Sequence, residues 1–374
     1  MELHSVENPA VLVNKYDPFD RGPFPAGVRT VRALDPVRNR LFPCEIWYPA
    51  TARYAGQDLV TETQDTFQLP QINSPRIQQA VRDAGAQPGT FPLALYSHAG
   101  GGHRRAATFL CTHLASHGYV VAALDHSEVL TNELARKENE TEAQKTRRWE
   151  AVISNRVPDV RFLLDQVLSR EAGLNVDPDR IGIVGHSFGG WTALALPDVD
   201  ERIKAVVALA PGGASNPKPG ILPLTLAFTW GRDVPTLYLV AENDVSLPLA
   251  GMYELFDRTP ATKQMVILRR ADHLHFMDQV EALHEAVRKM SFPGELAWLS
   301  KEMQPITELC SGDEAHLFVR GLTLAHLDAQ LRKNEAAQQF LLSDLEADFA
   351  RRGITVMVHQ INSLQNGKTK EGTL

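Results

Sequence analysis

Between residues 91 and 268, short apolar runs alternate with stretches of helical periodicity. Phe91-Pro92-Leu93-Ala94-Leu95-Tyr96-Ser97 reads as a strand, and Arg104 to Ser116 as a helix. Tyr119-Val120-Val121-Ala122-Ala123-Leu124 reads as a second strand, and Val157 to Leu168 as a second helix. Arg180-Ile181-Gly182-Ile183-Val184 is a short buried strand, and Trp191-Thr192-Ala193-Leu194-Ala195-Leu196 starts the helix after it. Lys204 to Leu209, Thr236 to Val240 and Gln264 to Leu268 continue the series. Short β-branched runs alternating with helices predict an α/β fold, its mostly parallel central sheet covered by helices on both faces. Ahead of this region, residues 1–50 are rich in proline and turn signals and end in Cys44-Glu45-Ile46-Trp47-Tyr48-Pro49, which reads as an early strand. Residues 51–90 are polar and irregular, broken by Pro70, Pro75, Pro88 and Gly89.

Two segments fall outside the rhythm. Ser127 to Glu150 is dense in charge and poor in apolar residues. It lies between a strand and a helix, which places it at the carboxyl edge of the sheet; a solvated helix or loop and a substrate-gating lid are both open readings. From Ser291 onward the pattern is helical. Ser311-Gly312-Asp313-Glu314 is a capping box, and Asn334 is placed to cap a last helix ending at Arg351-Arg352-Gly353. The expected organisation is a domain over 1–290, a helical extension over 291–364 packed on it, and a disordered tail over 365–374.

The 374 residues suffice for a sizeable core, and 44% hydrophobic with 22% charged residues is the balance of an ordinary soluble globular protein. A net charge of −7 argues against nucleic acid or an anionic membrane as partner. Cys44, Cys111 and Cys310 are far apart and odd in number, with neither a disulfide framework nor a C-x-x-C spacing. No run approaches the length of a membrane span, and the N-terminal residues carry no basic-then-apolar signal pattern. A cytoplasmic location is the expectation, and oligomeric state is not legible.

Chemistry concentrates at Gly185-His186-Ser187-Phe188-Gly189-Gly190, between the 180–184 strand and its helix. G-x-S-x-G at such a junction is the nucleophile elbow, a turn that pushes its serine out of the sheet. Serine needs a base within hydrogen-bond reach, and the base needs an acid that holds its tautomer. With the elbow, these follow in the chain order Ser, acid, His. Asp244, in the loop after the 236–240 strand, fits the acid, with Glu242 as competitor. His273, in the loop after the 264–268 strand, fits the base, with His275 as competitor. A developing oxyanion needs preorganised N–H donors. Phe188, next after the nucleophile, supplies one. The other is expected from His98-Ala99-Gly100-Gly101-Gly102-His103, at Gly100, with Ala99 next. No Walker-type lysine follows this loop, so a phosphate cradle is excluded.

Other histidines read as structural. His113 and His117 are four apart on a helix without the glutamate of a metalloprotease, which suits a surface or helix-end role. His186 suits packing, and His126 could line the pocket. No metal site and no cofactor are expected.

Gly27-Val28-Arg29-Thr30, Ile46-Trp47-Tyr48-Pro49-Ala50, Ser97-His98-Ala99-Gly100-Gly101, Leu114-Ala115-Ser116-His117-Gly118-Tyr119-Val120-Val121, the elbow and Asp272-His273-Leu274-His275-Phe276 together resemble the α/β-hydrolase family. Within it they resemble the platelet-activating-factor acetylhydrolase and dienelactone-hydrolase-like branch, over roughly residues 20–290. The resemblance implies an α/β-hydrolase fold and hydrolysis of a small ester. Two departures matter. In the acetylhydrolases the acid follows the strand after the elbow helix; here that place reads Ala208-Leu209-Ala210-Pro211, so Asp244 must act, as in most of the fold. In dienelactone hydrolases the nucleophile is cysteine; here it is serine, which points to ordinary carboxylic esters. An amidase, a lactonase, an acyltransferase, or an inactive binding module on the same fold are the alternatives.

Overall fold

The computed structural model describes residues 16–69, 75–135, 137, 139–169 and 173–359. Its strands are β1 (Ala26–Asp35), β2 (Arg40–Pro49), β3 (Asp65–Phe67), β4 (Arg76–Gln78), β5 (Val81–Arg82), β6 (Phe91–Ser97), β7 (Val120–Leu124), β8 (Val176–His186), β9 (Ile203–Leu209), β10 (Thr236–Ala241), β11 (Lys263–Leu268) and β12 (Val356–His359). All but the β3–β4 pair join one ten-stranded sheet in the order β12-β11-β10-β9-β8-β6-β7-β2-β1-β5. Its centre, β11 to β7, is parallel throughout, and β2 and β12 attach antiparallel at either end. Five strands were not expected: β1, the short β3, β4 and β5 inside the segment 51–90 expected to be irregular, and β12. Strand β1 alternates buried and exposed residues, as an antiparallel strand with one wet face does, and its arginines hid it among turn signals. Strand β12 lies beyond the expected C-terminal helices and pairs Val356 with Leu268.

The helices are α1 (Thr108–Ser116), α2 (Ser127–Leu130), α3 (Glu142–Leu168), α4 (Phe188–Ala195), α5 (Leu249–Arg258), α6 (Val280–Arg288), α7 (Leu299–Glu302), α8 (Gly312–Leu331), α9 (Glu335–Leu342) and α10 (Leu345–Ala350). Helix α1 begins four residues later than Arg104, because the Asp278 carboxylate accepts from the Thr108 and Phe109 N–H groups and fixes the first turn there. Helix α3 begins fifteen residues before Val157. Thr141 and Gln144 cap it reciprocally, and it runs through Pro158. The described residues of the charged segment 127–150 thus include α2, a turn at 132–134 and the first turns of α3. The Ser311–Glu314 capping box forms as expected at α8. The single last helix becomes two, capped by Asn334 and Asp344. Residues 365–374 lie outside the described residues.

Alternation along the parallel strands sends one set of side chains to each face. Val184, Val207, Leu239 and Val266 meet α1 and α8, while Ile183, Val206, Tyr238 and Ile267 meet α3, α4 and α5. Phe318 and Leu322 of α8 are fully buried in the first layer, so residues after 290 form part of the core beneath the sheet. Truncating Phe318 to Ala would cost roughly 3–5 kcal/mol. Among the described residues no helix is long and apolar enough to cross a membrane.

Candidate active site

Strand β8 ends at His186, and the chain turns so abruptly that Ser187 takes φ 58° and ψ −114°. That region costs a side-chain-bearing residue on the order of 1–3 kcal/mol, and it persists because neighbours over-determine it. Ser187 N–H donates to Leu209 O at 2.9 Å, and Ser187 O accepts from Trp191 N and Gly212 N, both at 3.0 Å. The flanking glycines are required by contact. A Cβ on Gly185 would lie 1.9 Å from Gly189 O, and one on Gly189 would lie 1.9 Å from Ser97 O. Ser187 is left half-buried at the start of α4.

The two expected partners reach it. Ser187 Oγ lies 2.8 Å from His273 Nε2, and His273 Nδ1 lies 2.6 Å from Asp244 Oδ2. Asp244 Oδ1 accepts from the N–H groups of Ser246 and Leu247, both at 2.8 Å, so its turn aims the other oxygen at the imidazole. Asn243 N–H donates to Ala271 O at 2.7 Å and ties the acid loop to the histidine loop. Burial works against the His273 cation; the charge and hydrogen bond of Asp244, helped by Asp272, outweigh it and hold the pKa above the ordinary imidazole value.

The competitors are engaged elsewhere. Glu242 pairs with Arg269 at 2.7 Å and accepts from the Arg270 N–H. His275 is fully buried, with Nδ1 2.8 Å from Asp272 and Nε2 3.1 Å from Cys310 O. Asp272 also lies 2.6 Å from His284 Nδ1. Burial raises its pKa, but the hydrogen bonds and charges of these two histidines prevail and hold it well below the usual carboxylate range. His186 is a fixing residue: its Nε2–H donates to His273 O at 3.0 Å. His113 is buried rather than at the surface, bonded to Pro18 O at 3.0 Å, and His117 bonds Asp20 O at 2.9 Å; together they hold the N-terminal segment on α1. Cys44, Cys111 and Cys310 are free and buried.

The two residues expected to supply oxyanion donors, Phe188 and Gly100, are neighbours in space. Phe188 is the first residue of α4, where an N–H has no partner within the helix. Gly100 is exposed, and a Cβ placed on it would lie 3.8 Å from the Phe188 ring. Behind this loop lies a polar network that the sequence reading missed. His126 is sealed inside it, not on a pocket wall: Nε2 is 2.8 Å from Ser97 Oγ and Nδ1 is 3.2 Å from Asp159. Arg156 of α3, wholly buried, reaches the carbonyls of His98 and Ala99. The signal for it was present, since Val152, Arg156, Val160 and Leu163 share one helical stripe.

His126, Glu128 and Asp159 place donor atoms within 4.8 Å of one another. Arg156 already pairs with Glu128, and Arg38 with Asp159, so both carboxylates are answered by guanidinium groups. A crevice of about 760 Å³ beside the site is lined by His103, Arg105, Met277, Asp278 and Arg320, but not by Ser187, His273 or Asp244.

With this geometry in view, the chain can be set beside known proteins. A platelet-activating factor acetylhydrolase of Cavia porcellus is 22% identical over 242 residues, covering 54% of this chain and 51% of that protein. Cutinase est1 of Thermobifida alba is 24% identical over 223 residues, covering 58% and 63%. The match thus spans about half the length of the acetylhydrolase and under two thirds of the cutinase. Among solved structures, a ferulic acid esterase from Streptomyces cinnamoneus superposes with a TM-score of 0.59 at 25% identity, over 83% of this chain and 91% of that one. The fold is that of the α/β-hydrolases. Residues 95–301, more than half of the chain, match the dienelactone hydrolase family, and they contain the elbow, the glycine loop and both loops that meet at Ser187. This chain belongs to the dienelactone hydrolase family.

Proposed function

We propose that this protein is a serine hydrolase of carboxylic esters. The observation that carries the reading is the unbroken hydrogen-bonded chain Ser187–His273–Asp244, at 2.8 and 2.6 Å, on a strained elbow. Ser187 Oγ bonds to the acyl carbon while its proton passes to His273 Nε2, and the carbonyl oxygen takes the negative charge. The N–H groups of Phe188 and Gly100 stabilise that charge; Asp244 stabilises the imidazolium. The intermediate then collapses, the C–O bond to the alcohol breaks, and His273 returns the proton to the departing oxygen. Water, deprotonated by His273, attacks the acyl-enzyme and frees the acid and the serine.

The names of the similar proteins, an acetylhydrolase, a cutinase and a ferulic acid esterase, support ester cleavage. The three free, buried cysteines fit a cytoplasmic location, where unpaired thiols persist. The deciding experiment is a fluorophosphonate probe followed by peptide mass mapping, alongside p-nitrophenyl acetate turnover. Covalent label on Ser187 with loss of turnover is expected. Turnover that survives full labelling of Ser187 overturns the reading.

A further inference from the structure

We propose that Arg156 is a positioning residue for the oxyanion hole, a role that rests on the ester-hydrolase reading above. It stands on the apolar stripe of α3, fully buried, where an unpaired cation would be very costly. Its partners explain its presence, and all but one belong to the two segments that carry the oxyanion donors. Nη1 donates to His98 O at 2.6 Å, and Nη2 donates to Ala99 O at 3.2 Å. The guanidinium plane lies over the Phe188 ring, with Cζ 4.1 Å from its centroid. The remaining partner is Glu128 of α2, which pairs with Nη2.

Peptide planarity turns these contacts into a statement about the reacting centre. The Ala99 carbonyl and the Gly100 N–H share one trans peptide unit, so they point in opposite directions. Ala99 O accepts from Arg156 Nη2, from His98 Nδ1 at 2.7 Å and from Gly102 N at 3.0 Å. Three donors pulling the carbonyl inward aim the Gly100 N–H outward. The same guanidinium presses on the side chain of Phe188, whose backbone supplies the second donor. One residue therefore sets the relative placement of both donors. A planar, forked cation suits this task, and an ammonium does not: it cannot serve two carbonyls while stacking on a ring. Glu128 fixes the fork from behind and neutralises it.

The role predicts a kinetic signature. Misplaced donors weaken the transition state and leave ground-state binding and the His273 base untouched. In R156M/E128Q, where both charges leave together and the volume is nearly kept, active sites are counted by fluorophosphonate end point. Per active site, kcat for p-nitrophenyl acetate should fall about ten- to a hundredfold, a fraction of what full loss of one donor costs. KM and the acid limb of the pH profile should stay unchanged. Affinity for a trifluoromethyl ketone, which forms an alkoxide at Ser187, should fall in the same proportion as kcat/KM. If that variant does not fold, R156K carries the test, with an expected three- to tenfold loss in both quantities. Per-site kcat and ketone affinity within twofold of wild type, in whichever variant folds, overturn the positioning role. Wild-type protein that turns over no ester and takes no label overturns instead the reading on which it rests.

Discussion

Among the described residues lie two hydrogen-bonded Ser–His–Asp chains, their serines at the ends of the neighbouring strands β6 and β8. Ser187–His273–Asp244 has spacings of 2.8 and 2.6 Å; Ser97–His126–Asp159 has 2.8 and 3.2 Å. Residue types and connectivity match, yet only one is open to solvent. The His273 side chain is 17% exposed, whereas that of His126 is 1% exposed, so no substrate reaches Ser97. Ser187 is thrust from an elbow, whereas Ser97 is an ordinary last residue of β6. The surrounding charges differ in sign as well. Asp244 and Asp272 favour the His273 cation against burial, whereas burial, then Arg156 and Arg38, drive the His126 pKa well below the ordinary value. Asp159 is spent on Arg38 and on Ser127, while one oxygen of Asp244 is reserved for its imidazole. A triad is thus defined by access and by the sign of its field, and a hydrogen-bonded chain alone does not make one.

The comparison breaks most directly at the two serines. Ser187→Ala should lower kcat for p-nitrophenyl acetate by roughly 10⁵–10⁶-fold. Ser97→Ala should leave kcat within about threefold of wild type, and equal losses would erase the distinction drawn here. The acids come next. Asp244→Asn should cost about 10⁴ in kcat by favouring the wrong tautomer of His273, measured by stopped assay after active-site titration. The pH dependence is a smaller effect with a definite sign. His273 must be neutral to act as base and its pKa is raised, so kcat/KM should fall with an acid-limb midpoint above 6.5. The Asp244–His273 ion pair stabilises the fold below that range and is lost as pH rises through the raised value. In an NMR experiment the imidazole signals of His273 should accordingly titrate at higher pH than a free imidazole, while His126 stays neutral through that transition. Smallest of all, Ser97→Ala should reduce unfolding free energy by about 1 kcal/mol, through one lost buried hydrogen bond, as read by urea denaturation.

Ser187, Asp244 and His273 were legible because each sits in a short loop directly after a parallel strand, where the fold leaves little choice of position. Asp244 was chosen over Glu242 by its distance from the strand end, and His273 over His275 by its place after the strand and the aromatic Phe276 three residues on; the structure brings the chosen pair together. Arg156 was not legible. Pro158, the second residue of the expected helix, suits a helix start, which hid the fifteen residues of α3 before Val157, although Thr141 and Gln144 spell out the true cap. Moreover, an arginine on an apolar stripe gains its meaning from carbonyls 57 and 58 residues away and from a ring on another helix. A linear pattern carries no trace of such partners. Strands β1 and β12 escaped for local reasons: β1 mixes arginines with apolar residues, and β12 is only four residues long.

The placement of α8 and β12 bears on how the gene should be handled. Residues 95–301 carry the family signature, and a fragment cut at 301 would retain every group in the proposed reaction. It would also lack the helix that seals one face of the sheet and the strand that occupies the outer edge of β11. Such a fragment would present bare apolar surface and an open ladder of N–H and C=O groups beside the loop bearing His273, a template for self-association. The recognisable enzyme and the smallest soluble product are different lengths of chain, and expression trials should keep the sequence through His359.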